Sequence, residues 1–140
     1  MTDQRARAGT ALPIIRSIFA VVAGFATVVI LSTGTDQIMH ALGVIPPGSM
    51  WNPWHNALAL AYRCLFTIAG GYVTAKLAPR SPMAHVLVLA LLGIAGGVAG
   101  VVTTAGLNLG PRWYPIALAV TAFPCVWFGG WLYQRARGRR

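Results

Sequence analysis

Four long apolar runs, separated by short polar segments, dominate the pattern of the chain. They occupy about residues 17–40, 56–78, 83–106 and 115–133. Each has the length of about 20 residues that a helix needs to cross the roughly 30 Å hydrocarbon core of a bilayer. The pattern therefore predicts an all-α membrane protein, a four-transmembrane-helix bundle built from two helical hairpins within residues 13–134.

The segments between the runs have the composition of turns and of membrane interfaces. Residues 43–55 contain three prolines and two glycines, which forbid regular structure, and the connections at 79–82 and 107–114 also contain proline. Trp51 and Trp54 have the amphipathic rings that are enriched at the headgroup level. We expect these three segments to be loops at the membrane surfaces.

The two ends of the chain are polar and basic. Residues 1–12 and 135–140 are predicted as basic cytoplasmic tails, the first of them short and mobile, and Pro13 suits the first turn of the helix that follows. The basic start and the apolar run from Ile18 to Leu31 superficially resemble a signal peptide. The segment that follows, Ser32-Thr33-Gly34-Thr35-Asp36, is a poor candidate for a cleavage site, so the run is interpreted as a retained first helix.

Composition separates a membrane protein from a soluble basic one. Of the 140 residues, 56% are hydrophobic and only 9% are charged, whereas soluble domains carry about a quarter charged residues. The net charge of +9 comes from 11 Lys and Arg residues against two acids. Most of the basic residues lie at the ends of the apolar runs: Arg5, Arg7, Arg16, Lys76, Arg80, Arg135, Arg137, Arg139 and Arg140. That distribution is typical of membrane topology and argues against nucleic acid as a partner.

The basic residues also predict the orientation in the membrane. The loop at 43–55 contains no Lys or Arg, and the turn at 107–114 contains only Arg112. Because cytoplasmic segments are enriched in Lys and Arg, both termini and the 79–82 connection are expected in the cytoplasm. The other two loops then face the periplasm or the exterior.

Two charged residues lie well inside apolar runs, where charge is expensive. Asp36 comes about six residues before the end of the first run, and Arg63 comes about seven residues after Asn56 opens the second. At about 1.5 Å per residue, both lie roughly 9–10 Å from the same boundary. An unpaired charge at that depth costs at least about 2.5–3.5 kcal/mol, so Asp36 and Arg63 are predicted to pair.

Polar residues at helical spacing extend this pair into two stripes, which we expect to face each other because both must avoid lipid. The stripes comprise Thr33, Asp36, Gln37 and His40 on the first helix and Asn56, Arg63, Thr67, Gly70 and Thr74 on the second. Two interpretations remain open. In one, the pair is a structural clamp that fixes the register of the hairpin. In the other, Asp36, His40 and Arg63 line an outward-facing pocket, with His55 at its rim, that relays protons or holds an anion or a lipid headgroup.

Small residues four apart predict where helices approach closely in lipid. They are Gly93 with Gly97 and Gly96 with Gly100 in the third run, Gly71 with Ala75 in the second, and Ala20 with Gly24 in the first. The third helix is therefore predicted at the centre of the bundle, with homodimerisation through one of these faces as the alternative. Pro124 is expected to bend the fourth helix. The second and fourth runs share a Cys, a Gly-Gly pair and a terminal basic residue in the same order. An internal repeat of two similar hairpins is therefore one open interpretation.

Residue patterns of catalytic and cofactor sites are missing from the sequence. It contains no glutamate, no Gly-x-Ser-x-Gly, no His-Glu-x-x-His and no phosphate loop, so no catalytic residue, metal or cofactor is predicted. Cys64 and Cys125 lie inside apolar runs and are expected to be free thiols. The spacing of the Met and His residues near the outer boundary matches no established metal site; these are Met39, His40, Met50 and His55.

Three segments together resemble an uncharacterised family of small four-helix bacterial inner-membrane proteins. They are Thr35-Asp36-x3-His40, Ala61-Tyr62-Arg63 with Gly70-Gly71-Tyr72-Val73-Thr74-Ala75, and Gly110-Pro111-x-Trp113-Tyr114-Pro115. The resemblance covers most of the chain, from about Ile14 to Leu132. It implies a multi-pass protein of the bacterial inner (cytoplasmic) membrane. That family has no assigned activity, so the resemblance adds no function.

The sequence thus favours a non-enzymatic protein, an accessory or structural subunit of a membrane complex whose glycine-rich faces pack within the bundle and against a partner. Its expected partners are the lipid bilayer and either another membrane protein or further copies of the chain. The alternative is a small carrier or channel that uses the outward-facing pocket around Asp36, His40 and Arg63. A membrane enzyme ranks third, because an Asp36–His40 base would have no evident nucleophile.

Overall fold

The structure, a computed structural model, describes residues 2–48 and 50–139, with side chains from Leu12 onward. This part of the chain forms four α-helices, which are α1 (Thr2–Ala41), α2 (Pro53–Leu77), α3 (Pro82–Thr104) and α4 (Trp113–Arg137). Each helix is long and apolar enough to cross a membrane, with Leu12–Ala41 as the apolar part of α1. The prediction of an all-helical chain with four apolar helices of membrane-spanning length is therefore confirmed.

Prolines and a side-chain cap explain where the later helices begin. α2 begins before the predicted position, because Pro53 occupies the first helical position and Asn52 Oδ1 accepts a hydrogen bond from Trp54 N at 3.0 Å. α3 likewise begins with a proline, Pro82. α4 begins before Pro115, which therefore lies in its first turn, where a missing N–H costs no hydrogen bond.

Helix α1 differs most from the prediction. It begins at Thr2, so the segment predicted as a mobile tail is helical and Pro13 lies inside the helix instead of in its first turn. Alanine, arginine and glutamine, which are strong helix formers, make up much of this segment and explain the extension. α4 also continues to Arg137, into the segment predicted as a tail, and it includes Pro124 without interruption.

Helix α2 takes the central place in the bundle. It packs most extensively on α4, closely on α1 and less on α3, whereas α3 packs mainly on α4. Within the described residues, α1 makes only a small contact with α3 and none with α4. The prediction that α3 lies at the centre is therefore wrong.

Two adjacent glycines explain why α2 packs on two neighbours at once. Consecutive helix residues point about 100° apart, so Gly70 and Gly71 face different helices. A Cβ atom on Gly70 would lie 2.9 Å from the carbonyl oxygen of Gly24 on α1. A Cβ atom on Gly71 would collide with the backbone of Val126 on α4, and one on Gly129 of α4 would collide with the backbone of α2. Glycine at these positions allows the helix backbones to touch.

The glycines of α3 divide between two surroundings. Gly97 packs on α4, where an added Cβ atom would lie 2.7 Å from Ala119 Cα, and Gly93 lies against the same helix. For Gly96 and Gly100, no described atom outside the local backbone of α3 lies within 4 Å of the position of an added Cβ. Only one of the two predicted small-residue stripes of α3 is therefore used for helix packing.

Packing differs between the two ends of the bundle. A buried apolar cluster lies in the half where α2 ends and α3 begins. It comprises Ala75, Val86, Leu89, Ala90 and Val126. The opposite end, which we term the loop end, is where residues 42–48 and 50–52 meet residues 105–112, and Met50 N donates a hydrogen bond to Leu109 O there at 2.6 Å. The close-packed core thus lies away from the loop end.

Candidate functional site

Two consecutive residues of α2 hold Asp36 of α1. The Tyr62 hydroxyl donates a hydrogen bond to Asp36 Oδ1, and Arg63 Nη2 forms an ion pair with Asp36 Oδ2. The side chains of Arg63 and Asp36 are 33% and 25% exposed. The structure therefore brings the two predicted charges together and engages both oxygens of the carboxylate.

Tyr62 is the member of this cluster that the sequence pattern did not indicate. It precedes Arg63 directly, so it lies about 100° around the helix from the predicted polar stripe. Its side chain is buried, and its ring centroid lies 5.9 Å from that of Phe66. An aromatic body that packs among apolar groups while its hydroxyl reaches a buried acceptor is the usual behaviour of tyrosine.

Replacing Tyr62 with phenylalanine should lower the free energy of unfolding by about 1–2 kcal/mol, because hydrogen bonds to charged groups contribute about 1.5–3 kcal/mol and this one is partly exposed. Thermal unfolding in detergent micelles measures the change. Tyr72→Phe is the matched control, since Tyr72 is 36% exposed and packs through its ring edge on Tyr133. Equal destabilisation by the two substitutions would show that the bond to Asp36 contributes nothing.

The other polar residues predicted on the stripe of α1 lie away from the pair. Thr33, Gln37 and His40 are exposed. The ring of His40 faces the turn after α1, where its Nδ1 lies 2.8 Å from Ile45 O. Because α1 buries only a narrow strip of its surface, it contributes a single acid to the interface with α2 and not a polar stripe.

The polar stripe of α2, in contrast, is turned inward. Asn56 and Thr74 are fully buried. Asn56 Nδ2 donates a hydrogen bond to Met50 O at 2.8 Å, which holds the first loop against the start of α2. Thr67 Oγ1 donates to Arg63 O at 2.7 Å, a bond within its own helix.

Ligands for a metal do not gather in the described residues, which contain no group of three or more His, Cys, Asp or Glu side chains that could hold an ion. Cys64 and Cys125 are half-buried free thiols. Gly129 of α4 packs on the carbonyl of Ile68 of α2. Cys125 and Cys64 each lie four residues, or about one helical turn, before these two residues, so they lie opposite each other. The two thiols therefore lie at matching positions of the interface between α2 and α4.

A cavity of about 520 Å³, which we term the loop cavity, lies between the two loops that meet at the loop end. Asn56, Arg112 and Tyr114 line it together with apolar residues of α3 and α4. Its volume falls in the range of about 300–1,000 Å³ that small-molecule sites occupy. The loop cavity is therefore large enough to bind a ligand.

A second cavity of about 370 Å³, which we term the bundle cavity, is lined by all four helices. Arg63 of α2 lines one side, and Gly96 and Gly100 of α3 line another. Gly100 belongs to the walls of both cavities, as do Pro115 and Leu118. The unused glycine stripe of α3 thus forms a wall of empty space within the bundle.

Several buried polar atoms lack hydrogen-bond partners in the part of the chain that the structure describes. They are Asn56 Oδ1, Arg63 Nε, Thr74 Oγ1 and Tyr114 Oη. Leaving a buried donor or acceptor unsatisfied costs about 1–3 kcal/mol. Asn56, Arg63 and Tyr114 line the cavities. Unpaired polar atoms on the wall of a cavity indicate a place for water or a ligand.

The one acid of the membrane spans and the unpaired polar atoms lie in different surroundings. The single acid of the membrane spans is engaged by Tyr62 and Arg63, while unpaired donors and acceptors face the cavities. Comparison of the chain with family models, with curated proteins and with solved structures finds no match. The interpretation of the site therefore depends on its own geometry.

Proposed function

We propose that the protein is a non-enzymatic protein of the bacterial inner membrane that acts as an accessory or structural subunit of a membrane complex. In this proposal both termini and the 79–82 connection are cytoplasmic, since Lys and Arg concentrate in and beside those segments. The loop end then faces the periplasm. Its partner is another membrane protein or a second copy of the chain.

The engagement of Asp36 supports this proposal most directly. A general base needs a lone pair that faces a substrate. Asp36 lines neither cavity, and its two carboxylate oxygens accept hydrogen bonds from Tyr62 and Arg63, so the acid ties α1 to α2. A contact of this kind sets the register of two helices in lipid, where an unpaired charge is expensive.

Exchanging the two charges tests whether the pair is structural. The double substitution Asp36→Arg with Arg63→Asp restores an ion pair of opposite polarity, so we expect it to fold and to co-purify from native membranes in a complex of wild-type size. The single substitution Asp36→Arg places two cations side by side and should reduce folded protein severalfold. Size-exclusion chromatography in mild detergent measures both the size of the complex and the amount of folded protein. A folded double variant that has lost the complex would contradict a purely structural pair.

The bundle cavity favours a second candidate, a small carrier or channel. Arg63 lines this cavity and its Nε is unpaired within the described residues. The predicted pocket differs in composition, because Asp36 and His40 line neither of the two cavities. A carrier would lose transport in the double-exchange variant even when the complex is retained, since the guanidinium leaves the cavity wall. The same variant therefore separates the two candidates.

A further inference from the structure

The two cavities adjoin each other. They share Gly100, Pro115 and Leu118 as common walls. The loop cavity is lined by Asn56, Arg112 and Tyr114 among mostly apolar residues, and the bundle cavity is lined mostly by small and apolar residues together with Arg63. A single molecule that fills both must be polar at one end and apolar along the rest, which is the chemistry of a membrane amphiphile.

The polar end of this space presents an unmatched acceptor and an unmatched hydroxyl. Asn56 is fully buried, and its Nδ2 donates to Met50 O and Asn52 O, yet its Oδ1 accepts no hydrogen bond within the described residues. Tyr114 Oη is buried and unpaired in the same way. An occupant that satisfies both atoms offers a donor to Asn56 and an acceptor to Tyr114.

Arg112 adds a positive charge that no acid of the chain neutralises. The sequence contains only Asp3 and Asp36 as acids. Asp36 pairs with Arg63, and Asp3 lies at the start of the 40-residue helix α1, far from the loop end. Arginine binds phosphate groups through paired hydrogen bonds. Charge complementarity therefore favours an anionic, phosphate-bearing headgroup.

The apolar end of the space reaches the lipid-facing surface between α1 and α3. These two helices make only a small contact. Phe25 of α1 and Leu92 of α3 line the bundle cavity and are also exposed on the surface, at 48% and 46%. Gly96 and Gly100 have no side chains, so the surface of α3 at these two positions is exposed backbone with open space beside it. An acyl chain that enters from the bilayer can lie along this glycine surface.

We propose that the loop cavity and the bundle cavity together bind one anionic glycerophospholipid with a hydroxyl-bearing headgroup, of the phosphatidylglycerol type. Its phosphate contacts Arg112 and accepts a hydrogen bond from Tyr114, and its headgroup hydroxyl donates to Asn56 Oδ1. One acyl chain lies along Gly96 and Gly100. This binding does not depend on the role as a subunit, whereas it competes with the carrier candidate, because the acyl chain fills the bundle cavity that a transported molecule would use.

Native mass spectrometry of the detergent-purified protein, titrated with phosphatidylglycerol or phosphatidylcholine, tests the headgroup. We expect one phosphatidylglycerol to bind about tenfold more tightly than phosphatidylcholine, which has no net charge and no headgroup donor. Arg112→Gln, at an exposed position, should abolish this preference. Equal binding of the two lipids, or a preference that survives Arg112→Gln, overturns the proposal. It also fails if inorganic phosphate displaces the lipid, because the site would then select free phosphate.

Gly100→Leu tests the position of the acyl chain without a change of charge. An added Cβ meets no described atom within 4 Å, so the leucine should fill the shared wall and reduce phosphatidylglycerol binding at least about tenfold at unchanged thermal stability. Gly34→Leu is the matched control, because Gly34 also has open space around it but lines neither cavity. Wild-type binding by Gly100→Leu, or an equal loss in Gly34→Leu, contradicts the proposed position.

Discussion

Replacing Gly71 with leucine is expected to lower the free energy of unfolding by more than about 3 kcal/mol, the upper end of the usual cost of overpacking. A Cβ atom at this position would collide with the backbone of Val126. A backbone cannot move aside as the end of a side chain can, so α2 and α4 must separate. They form the most extensive interface of the bundle. Thermal unfolding in detergent, followed by size-exclusion chromatography, measures the loss.

Three further variants make this result specific to the crossing of α2 and α4. Gly129→Leu approaches the same crossing from α4 and should match Gly71→Leu, because its Cβ would collide with the backbone of Ile68. Gly71→Ala should give a smaller loss. Gly34→Leu should unfold like the wild type, since no described atom lies within 4 Å of its Cβ. If Gly71→Leu is as stable as Gly34→Leu, the helices do not cross at these glycines.

Replacing Asp36 with alanine is expected to lower the free energy of unfolding by about 2–3 kcal/mol. The loss of one partner from a buried ion pair costs about 3–5 kcal/mol, and the partial exposure of this pair reduces that figure. The substitution leaves Arg63 without its counter-charge and Tyr62 without its acceptor. The loss in the free energy of unfolding is measured by unfolding the variant and the wild-type protein with heat or with denaturing detergent.

A double-mutant cycle isolates the pair from its surroundings. Asp36→Leu with Arg63→Leu removes both charges together, and such replacements are often neutral because no charge remains to be solvated. We expect the double variant to be more stable than either single variant by at least about 1 kcal/mol. Additive losses in the cycle would mean that Asp36 and Arg63 do not interact.

The ion pair between α1 and α2 could be predicted because charge has few options in an apolar run. The depth of Asp36 and Arg63 follows from residue counts alone, and burial of two opposite charges at one depth leaves pairing as the low-energy solution. The four spans are predictable for a similar reason, since four apolar runs of this length and hydropathy are typical of membrane-spanning helices and not of helices in soluble proteins. Constraints that act on one residue or one run at a time can be read from the sequence.

The position of each helix in the bundle depends on which pairs of helices pack together, and the sequence of a single helix does not determine its neighbours. The glycine count favoured α3 as the centre, yet no other helix comes within 4 Å of a Cβ added at Gly96 or Gly100, whereas the adjacent Gly70 and Gly71 join α2 to two neighbours. A small residue permits close approach but does not select the helix that approaches. Tyr62 escaped prediction because a long side chain reaches Asp36 from outside the ideal stripe.

The uneven packing along the bundle axis divides the protein into a stiff half and a compliant half. The buried apolar cluster lies in the half away from the loop end, the loop cavity lies at the loop end, and the bundle cavity lies between them, with Leu89 and Val126 of the cluster in its wall. Atoms that border a void have no dispersion partners on that side, so side chains there are displaced at lower cost than in a close-packed core. The two leaflets of a bilayer therefore meet surfaces of unequal compressibility. The leaflet at the loop end borders the half with the larger cavity, and therefore the half that deforms at lower cost.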